Sequence, residues 1–284
     1  MLDKCLQSIA LQNNKLILIY VIDSSSDNTK DIVKKWASSI DNLFYIFESK
    51  KGLGLARNRI LEECRTEYIH YIDDDTKLQI SFFTELISFI NQYKPEAYTG
   101  KITPSFENKR PKWYKDSYLS GINLTLKTGK LNNGFLMGGN MGIKTQTLKL
   151  IGGFPAEFGK SKLQYGDETY VQYKLKDQGI ELYYCEEINL QHFGNDDTVA
   201  KLIKIYYHQC LSNIKLKEVL KIKENSFRII LSNFKFFFRT ILIGTFELIF
   251  IKDYYFQNWV INLTKALVNI YLKILSKIKF CLFN

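Results

Sequence analysis

Tyr68-Ile-His-Tyr-Ile-Asp73-Asp74-Asp75-Thr76 is an apolar, aromatic run that ends in three consecutive carboxylates. A run of this length reads as a buried strand, and the acids mark where it leaves the core. In open α/β sheets the carboxyl end of a strand is where ligands bind. Carboxylates packed this closely repel one another and call for a counter-charge. A hard divalent cation, Mg²⁺ or Mn²⁺, is the natural one, because it prefers oxygen ligands and shares them with phosphate. The alternatives are a solvated loop, or acids placed ahead of the helix that begins near Gln79. The Gly and terminal Glu of an EF-hand loop are absent.

Strand and helix patterns alternate on either side of this stretch up to about residue 192. Such alternation predicts an α/β fold, a mostly parallel sheet flanked by helices. Leu16–Ile22 is a continuous apolar run followed by the turn Asp23-Ser-Ser-Ser-Asp27, with Asp27 or Asn28 placed to cap a helix through Ile32, Val33 and Trp36. Leu43–Phe47 is a further strand. Gly52-Leu-Gly54 opens a helix from about Leu55 to Cys64, and Phe82, Phe83, Leu86, Phe89, Ile90 and Tyr93 share one helical face. Residues 104–135 hold Pro104, Pro111, Gly121, Gly129 and Gly134 and read as a functional loop or flap. Gly179 is a helix C-cap, and Ile180–Cys185 begins another strand.

Charge divides the chain of 284 residues. The net charge is +10, and from Lys201 onward basic residues outnumber acidic ones fourteen to four. Residues 1–195 therefore read as a near-neutral body and 196–284 as a basic, amphipathic helical tail. Segments 226–251 and 254–283 are rich in Ile, Leu and Phe, but charges interrupt both before about 18 apolar residues accumulate. They read as helices lying in a membrane interface, with an anionic surface as partner, or as helices packed on the body with lysines facing water. The five cysteines are scattered without a C-x-x-C pair, which argues against zinc and disulfides and for a reducing cytosol. No secretory leader pattern opens the chain.

The ordered motifs carry a resemblance. They are Leu2-x-x-Cys5-Leu-x-Ser8, Val21-Ile-Asp23-Ser-x-Ser-Asp27-x-Thr29, Gly52-Leu-Gly-Leu-Ala-Arg57-Asn58, Tyr71-Ile-Asp73-x-Asp75, Gly139-Asn140-Met-Gly, Gly152-Gly-Phe154 and Gly166-Asp-Glu168. In this order, over about residues 1–192, the chain resembles the family 2 glycosyltransferases with the GT-A (Rossmann-like) fold.

The resemblance implies an inverting, metal-dependent transfer of a sugar from a nucleotide diphosphate, a UDP-sugar foremost, to a hydroxyl of a glycan or polyprenyl-linked acceptor in surface polysaccharide or glycolipid assembly. No nucleic acid is expected as partner. Asp75 and Asp73 would hold the ion, with His192 as a further ligand or a structural partner. Asp73 would also reach the ribose, Asp23 and Asp27 the base or ribose, and Arg57 the diphosphate. Asn140 would line the acceptor pocket. Glu168 lies where the base sits, and Asp167 is the alternative. The tail implies a cytoplasmic enzyme, peripheral on the inner face of the cell membrane.

The family begins with a central apolar strand, whereas Met1 falls inside the helix that follows it, so the first 195 residues read as N-terminally truncated. A non-catalytic, membrane-attached remnant or binding subunit, or a nucleotidyltransferase, are the other readings.

Overall fold

The computed structural model describes residues 1–12, 16–107, 109–120, 123, 125–156, 158, 163, 165–193, 198–222 and 226–283, without side chains at 120, 226–230 and 276–283. Two compact units are present. The first comprises Met1–Glu107, Asp116–Lys160 and Asp167–Gly194; the second comprises Asn108–Lys115, Ser161–Gly166 and Asn195–Asn284.

The first unit contains α1 (Leu2–Ala10), β1 (Ile19–Asp23), α2 (Thr29–Trp36), β2 (Leu43–Phe47), α3 (Leu53–Glu63), β3 (Tyr68–Ile72), β4 (Thr76–Leu78) and α4 (Phe82–Tyr93). It continues with β5 (Ala97–Ser105), α5 (Ser117–Ser120), β6 (Gly129–Lys130), β7 (Asn140–Lys144), α6 (Thr145–Leu150), α7 (Asp167–Asp177) and β8 (Leu182–Phe193). The expected α/β architecture is present, and the apolar run before the three acids is β3. The ladders β1–β2 and β5–β8 are parallel. The β3–β7, β5–β7, β4–β8 and β6–β8 ladders are antiparallel. The larger sheet has the order β3-β7-β5-β8-β4, and β1 and β2 form a sheet of their own.

Helical spacing of apolar residues explains how the layers close. Leu2, Cys5, Leu6 and Ile9 recur at i, i+3, i+4 and i+7 on α1 and are buried. Phe82, Phe83, Leu86 and Phe89, at i, i+1, i+4 and i+7, form the buried face of α4. Both sets enter one core with Tyr98, Ile188 and Leu190 of the sheet. Phe82 is fully buried there, so truncation to Ala costs about 3–5 kcal/mol. On the other side, Tyr20 and Ile22 of β1 and Ile69 and Tyr71 of β3 pack around Ile60 and Cys64. These two strands therefore share a layer, although among the described residues no strand pairs with the second edge of either.

The segment 104–135 is more regular than its composition suggests. Its start continues β5, and β6 pairs with β8. Residues 108, 121, 122 and 124 lie outside the described residues.

The second unit is built on α8 (Val199–Val219), α9 (Ser226–Phe250) and α10 (Phe256–Phe283). Thr198 caps α8 by accepting a hydrogen bond from the Lys201 N–H. Asn258 Nδ2 donates to the Trp113 carbonyl at 2.7 Å and ties residues 108–115 to the start of α10. No described helix is long and apolar enough to cross a membrane.

Candidate active site

The three acids sit in a tight turn between β3 and β4. Thr76 Oγ1 donates to the Asp73 carbonyl at 2.7 Å, and the chain then doubles back to pair with β8. That pairing sets Thr76 opposite His192, and the Phe193 N–H donates to the Asp75 carbonyl at 2.8 Å. Asp73, Asp75 and His192 are thus brought together, with one ligand atom from each within 4.8 Å of the others. His192 Nε2 approaches Asp75 Oδ1 at 3.3 Å. The approach lacks hydrogen-bond alignment, because Asp75 Oδ1 is buried with no hydrogen-bond donor. Burial raises the Asp75 carboxyl above its ordinary range, His192 opposes the shift, and the charges of Asp73 and Asp74 add to it. The orphaned Asp75 oxygen, the Asp73 carboxylate and an imidazole nitrogen form a donor set that fits a divalent cation.

Arg57 joins this cluster to the helix start at α7. Its guanidinium is 6% exposed. Nη1 donates to Asp167 Oδ2 at 2.6 Å, and Nη2 reaches Asp73 Oδ1 at 3.5 Å. The group also lies over the Phe154 ring at 5.5 Å. Burial acts to lower its pKa, but the charges of Asp167, Asp73 and Glu168 outweigh that and hold it above its ordinary value. The neighbouring Asn58 fixes the platform. Its Nδ2 donates to the Phe154 carbonyl at 2.7 Å, and its Oδ1 accepts from the Phe154 N–H at 2.8 Å. Gly153 has φ +72°, and a Cβ there would sit 2.5 Å from Asn58 Oδ1. The Arg57-Asn58 and Gly152-Gly-Phe154 motifs are therefore two halves of one contact.

Asp167 is fully buried, and its Oδ1 has no hydrogen-bond partner among the described residues. Glu168, half-buried beside it, is pushed up to about 8 by burial first, then by the charge of Asp167 and a side-chain hydrogen bond to it. The two acids differ as a consequence: Asp167 is committed to Arg57, while Glu168 is held near a proton-transferring pKa.

The remaining sequence-predicted residues are placed differently. Asp23 is 8% exposed, with Oδ1 accepting from the Ser25 N–H at 2.8 Å and Oδ2 from the Tyr45 hydroxyl at 2.9 Å. Asp27 is exposed, and its Oδ1 accepts from Ser25 Oγ and from the Thr29 N–H, one residue ahead of Asn28, the N-cap of α2. Those bonds lower its pKa.

Asn140 is fully buried and reaches no open pocket. Its Nδ2 donates to the carbonyls of Lys101 and Ile188 at 2.8 and 2.9 Å, and Oδ1 lies 3.1 Å from His70 Nε2. With both amide hydrogens used, Oδ1 is the acceptor, so Nε2 carries the His70 proton and Nδ1 faces the Tyr98 hydroxyl at 3.3 Å. Burial lowers His70 to about 4, against the opposing Asn140 bond, and keeps the ring neutral. This His70–Asn140 tie locks β3 to β7 beneath the acids, and nothing local in the sequence pairs those two residues. Burial pushes the Cys5 and Cys185 thiols up to about 12, so neither is a ready nucleophile.

The sequence model of Glycosyl transferase family 2 matches residues 1–152. The chain is 31% identical over 100 residues to glycosyltransferase GlyA of Streptococcus pneumoniae, covering 35% of this chain and 14% of that protein. It is 20% identical over 191 residues to glycosyltransferase AglE of Haloferax volcanii, covering 66% of this chain and 60% of that one. The matches thus span less than two thirds of these relatives' lengths.

Among solved structures, the mannosyltransferase PcManGT of Pyrobaculum calidifontis, in complex with GDP-Man and Mn²⁺, superposes with a TM-score of 0.63 at 15% identity. That match covers 96% of this chain and 84% of that one. S. aureus TarS 1-349 with UDP gives 0.53 at 17% identity, covering 86% and 69%. The fold is that of the GT-A glycosyltransferases. With its family model spanning more than half the sequence, the chain belongs to glycosyl transferase family 2.

Proposed function

We propose that this protein is a metal-dependent, inverting glycosyltransferase that moves a sugar from a nucleotide diphosphate, a UDP-sugar foremost, to a hydroxyl of a glycan or lipid-linked acceptor. The observation that carries this reading is the convergence of Asp73, Asp75 and His192, with one ligand atom from each within 4.8 Å of the others. The nucleotide complexes of PcManGT and TarS, proteins of the same fold, support the donor class.

Asp75, Asp73 and His192 would hold Mg²⁺ or Mn²⁺. When bound, the ion supplies Lewis-acid neutralisation of the charge that grows on the departing diphosphate. Glu168 takes the acceptor proton: the O–H bond breaks toward its carboxylate as the new glycosidic bond forms and the bond to the diphosphate breaks. Asp167, pinned by Arg57, holds the helix start and keeps the Glu168 carboxyl basic. Asp23 is placed at the end of β1 for the base or ribose. Asp73 also stands ready for the ribose, since one of its oxygens already faces Arg57.

Residues 1–195 act as the catalytic domain. Residues 196–284 hold it peripherally on the anionic inner face of the cell membrane, near a lipid-linked acceptor in surface polysaccharide or glycolipid assembly. The basic excess after Lys201 supports this placement.

Nucleotide release from a panel of UDP- and GDP-sugars, with Mn²⁺ or with chelator, tests the reading. Release should require the metal and vanish in Asp75→Ala. Release that survives both chelator and the variant would overturn it.

A further inference from the structure

The amphipathic order of α9 is inverted. A surface helix normally turns its apolar stripe inward. Here the stripe that is turned away from solvent contains Asn233, Thr240, Gly244 and Glu247 beside Phe237, Ile241 and Leu248. Gly244 is buried at the crossing with α10, where a Cβ would stand 3.0 Å from the Trp259 ring. The outward arc holds the large apolar side chains. Leu242 is 71% exposed, Ile249 69%, Phe250 68%, Phe246 58% and Phe238 57%. At helical spacing these residues, with the likewise exposed Phe234, Phe236 and Ile243, spread over an arc of about 200°, wider than the seam a single partner helix covers.

The arc is also polarised along its length. Exposed Lys235 and Arg239 lie among the apolar side chains of its first half, and neither has an ion-pair partner among the described residues. From Leu242 to Phe250 the outward arc carries no charge; Thr245 is its one polar member. The Thr245 hydroxyl turns back to the Ile241 carbonyl, so its one O–H donor is used within the helix.

We propose that α9 is the membrane-binding element of this protein. It lies in the interface of an anionic bilayer with its second half, Leu242–Phe250, deepest, while Lys235 and Arg239 reach up to lipid phosphates. This deepens the membrane placement proposed above and does not depend on the sugar-transfer chemistry. The occupant is lipid because the apolar arc coincides with unpaired cations on a segment of strong positive charge. A long basic side chain lets the aliphatic stem stay in the apolar layer while the charge remains wet. No described helix qualifies as a span, so α9 rests in the interface and does not cross.

The test is co-sedimentation of the full-length protein with vesicles of 70% phosphatidylcholine and 30% phosphatidylglycerol, and with pure phosphatidylcholine. The wild type should bind the anionic vesicles and be released by salt. The pair Leu242→Asp/Phe246→Asp should lower binding at least tenfold. Lys235→Ser/Arg239→Ser should remove most of the preference for anionic lipid. Tyr271→Asp, which changes an exposed apolar residue of α10, should bind like the wild type. Unchanged circular dichroism of each variant shows that folding is intact.

Binding lost in Tyr271→Asp but retained in Leu242→Asp/Phe246→Asp would overturn the assignment to α9 and leave the membrane placement standing. A wild type that ignores both vesicles would overturn the placement too. A dimer dissolved by Leu242→Asp/Phe246→Asp, without vesicle binding, would make the arc a self-association surface and overturn the proposal.

Discussion

Arg57 Nη1 lies 2.6 Å from Asp167 Oδ2, and the same guanidinium reaches Asp73 Oδ1 at 3.5 Å. One buried cation therefore links the acid of the ion cluster to the acid at the start of α7. Removing one partner of a buried pair leaves an uncompensated charge and costs about 3–5 kcal/mol. Arg57→Ala should lower the unfolding free energy read from urea titration by that amount and abolish transfer. Arg57→Lys keeps the charge but loses the two-pronged reach, so it should regain more stability than activity. Equal recovery of both would show that Arg57 acts by charge alone.

The base role proposed for Glu168 predicts a pH dependence. Its carboxyl is raised from the ordinary 4.5 to about 8. A base works when ionised, so kcat/KM should rise with pH through about 8. The sign for stability is opposite. The folded protein binds this proton more tightly than the unfolded chain, so stability falls as pH rises from about 4.5 to about 8. Glu168→Gln should reduce transfer ~100-fold or more. It should also be more stable than the wild type above pH 8, by on the order of 2 kcal/mol. A pH–rate profile and urea titrations at pH 6 and 9 measure both effects.

His70 and Asn140 give an acid-side signature. Asn140→Ala strands the Lys101 and Ile188 carbonyls and the His70 Nε2–H, at about 1–3 kcal/mol for each unpaired group. His70, lowered to about 4, binds its proton more weakly when folded, so its contribution to stability is lost as pH falls from about 6.5 toward 4. His70→Gln should flatten that part of the stability profile, as read by thermal melts across the range.

Gly139 tests how closely the ion cluster is fitted. A Cβ there would stand 2.5 Å from Asp73 Oδ2, although the backbone needs no unusual φ. Gly139→Ala should displace that carboxylate and weaken Mn²⁺ binding at least tenfold with little loss of helix signal. An unchanged affinity would show that Asp73 is not a ligand.

Local patterns reached far in this chain. The strand before the acids, the helix that opens near Gly52 and the α4 face were legible because each shows its period within a dozen residues. So was the pairing of Asp73 and Asp75. The partners of Arg57 and Asn140 were not. Arg57 meets Asp167 110 positions away, and Asn140 meets His70 across an antiparallel ladder that no local period announces. The β4 return was also invisible: three residues carry too little pattern to mark a strand, yet that return is what brings His192 to Asp75.

The most direct test is calorimetric titration of Mn²⁺ into the protein in the presence of UDP, for the wild type, Asp75→Ala and His192→Ala. One ion should bind per wild-type chain, with no detectable binding in Asp75→Ala and an affinity at least tenfold weaker in His192→Ala. Wild-type affinity in both variants would contradict the account at its centre.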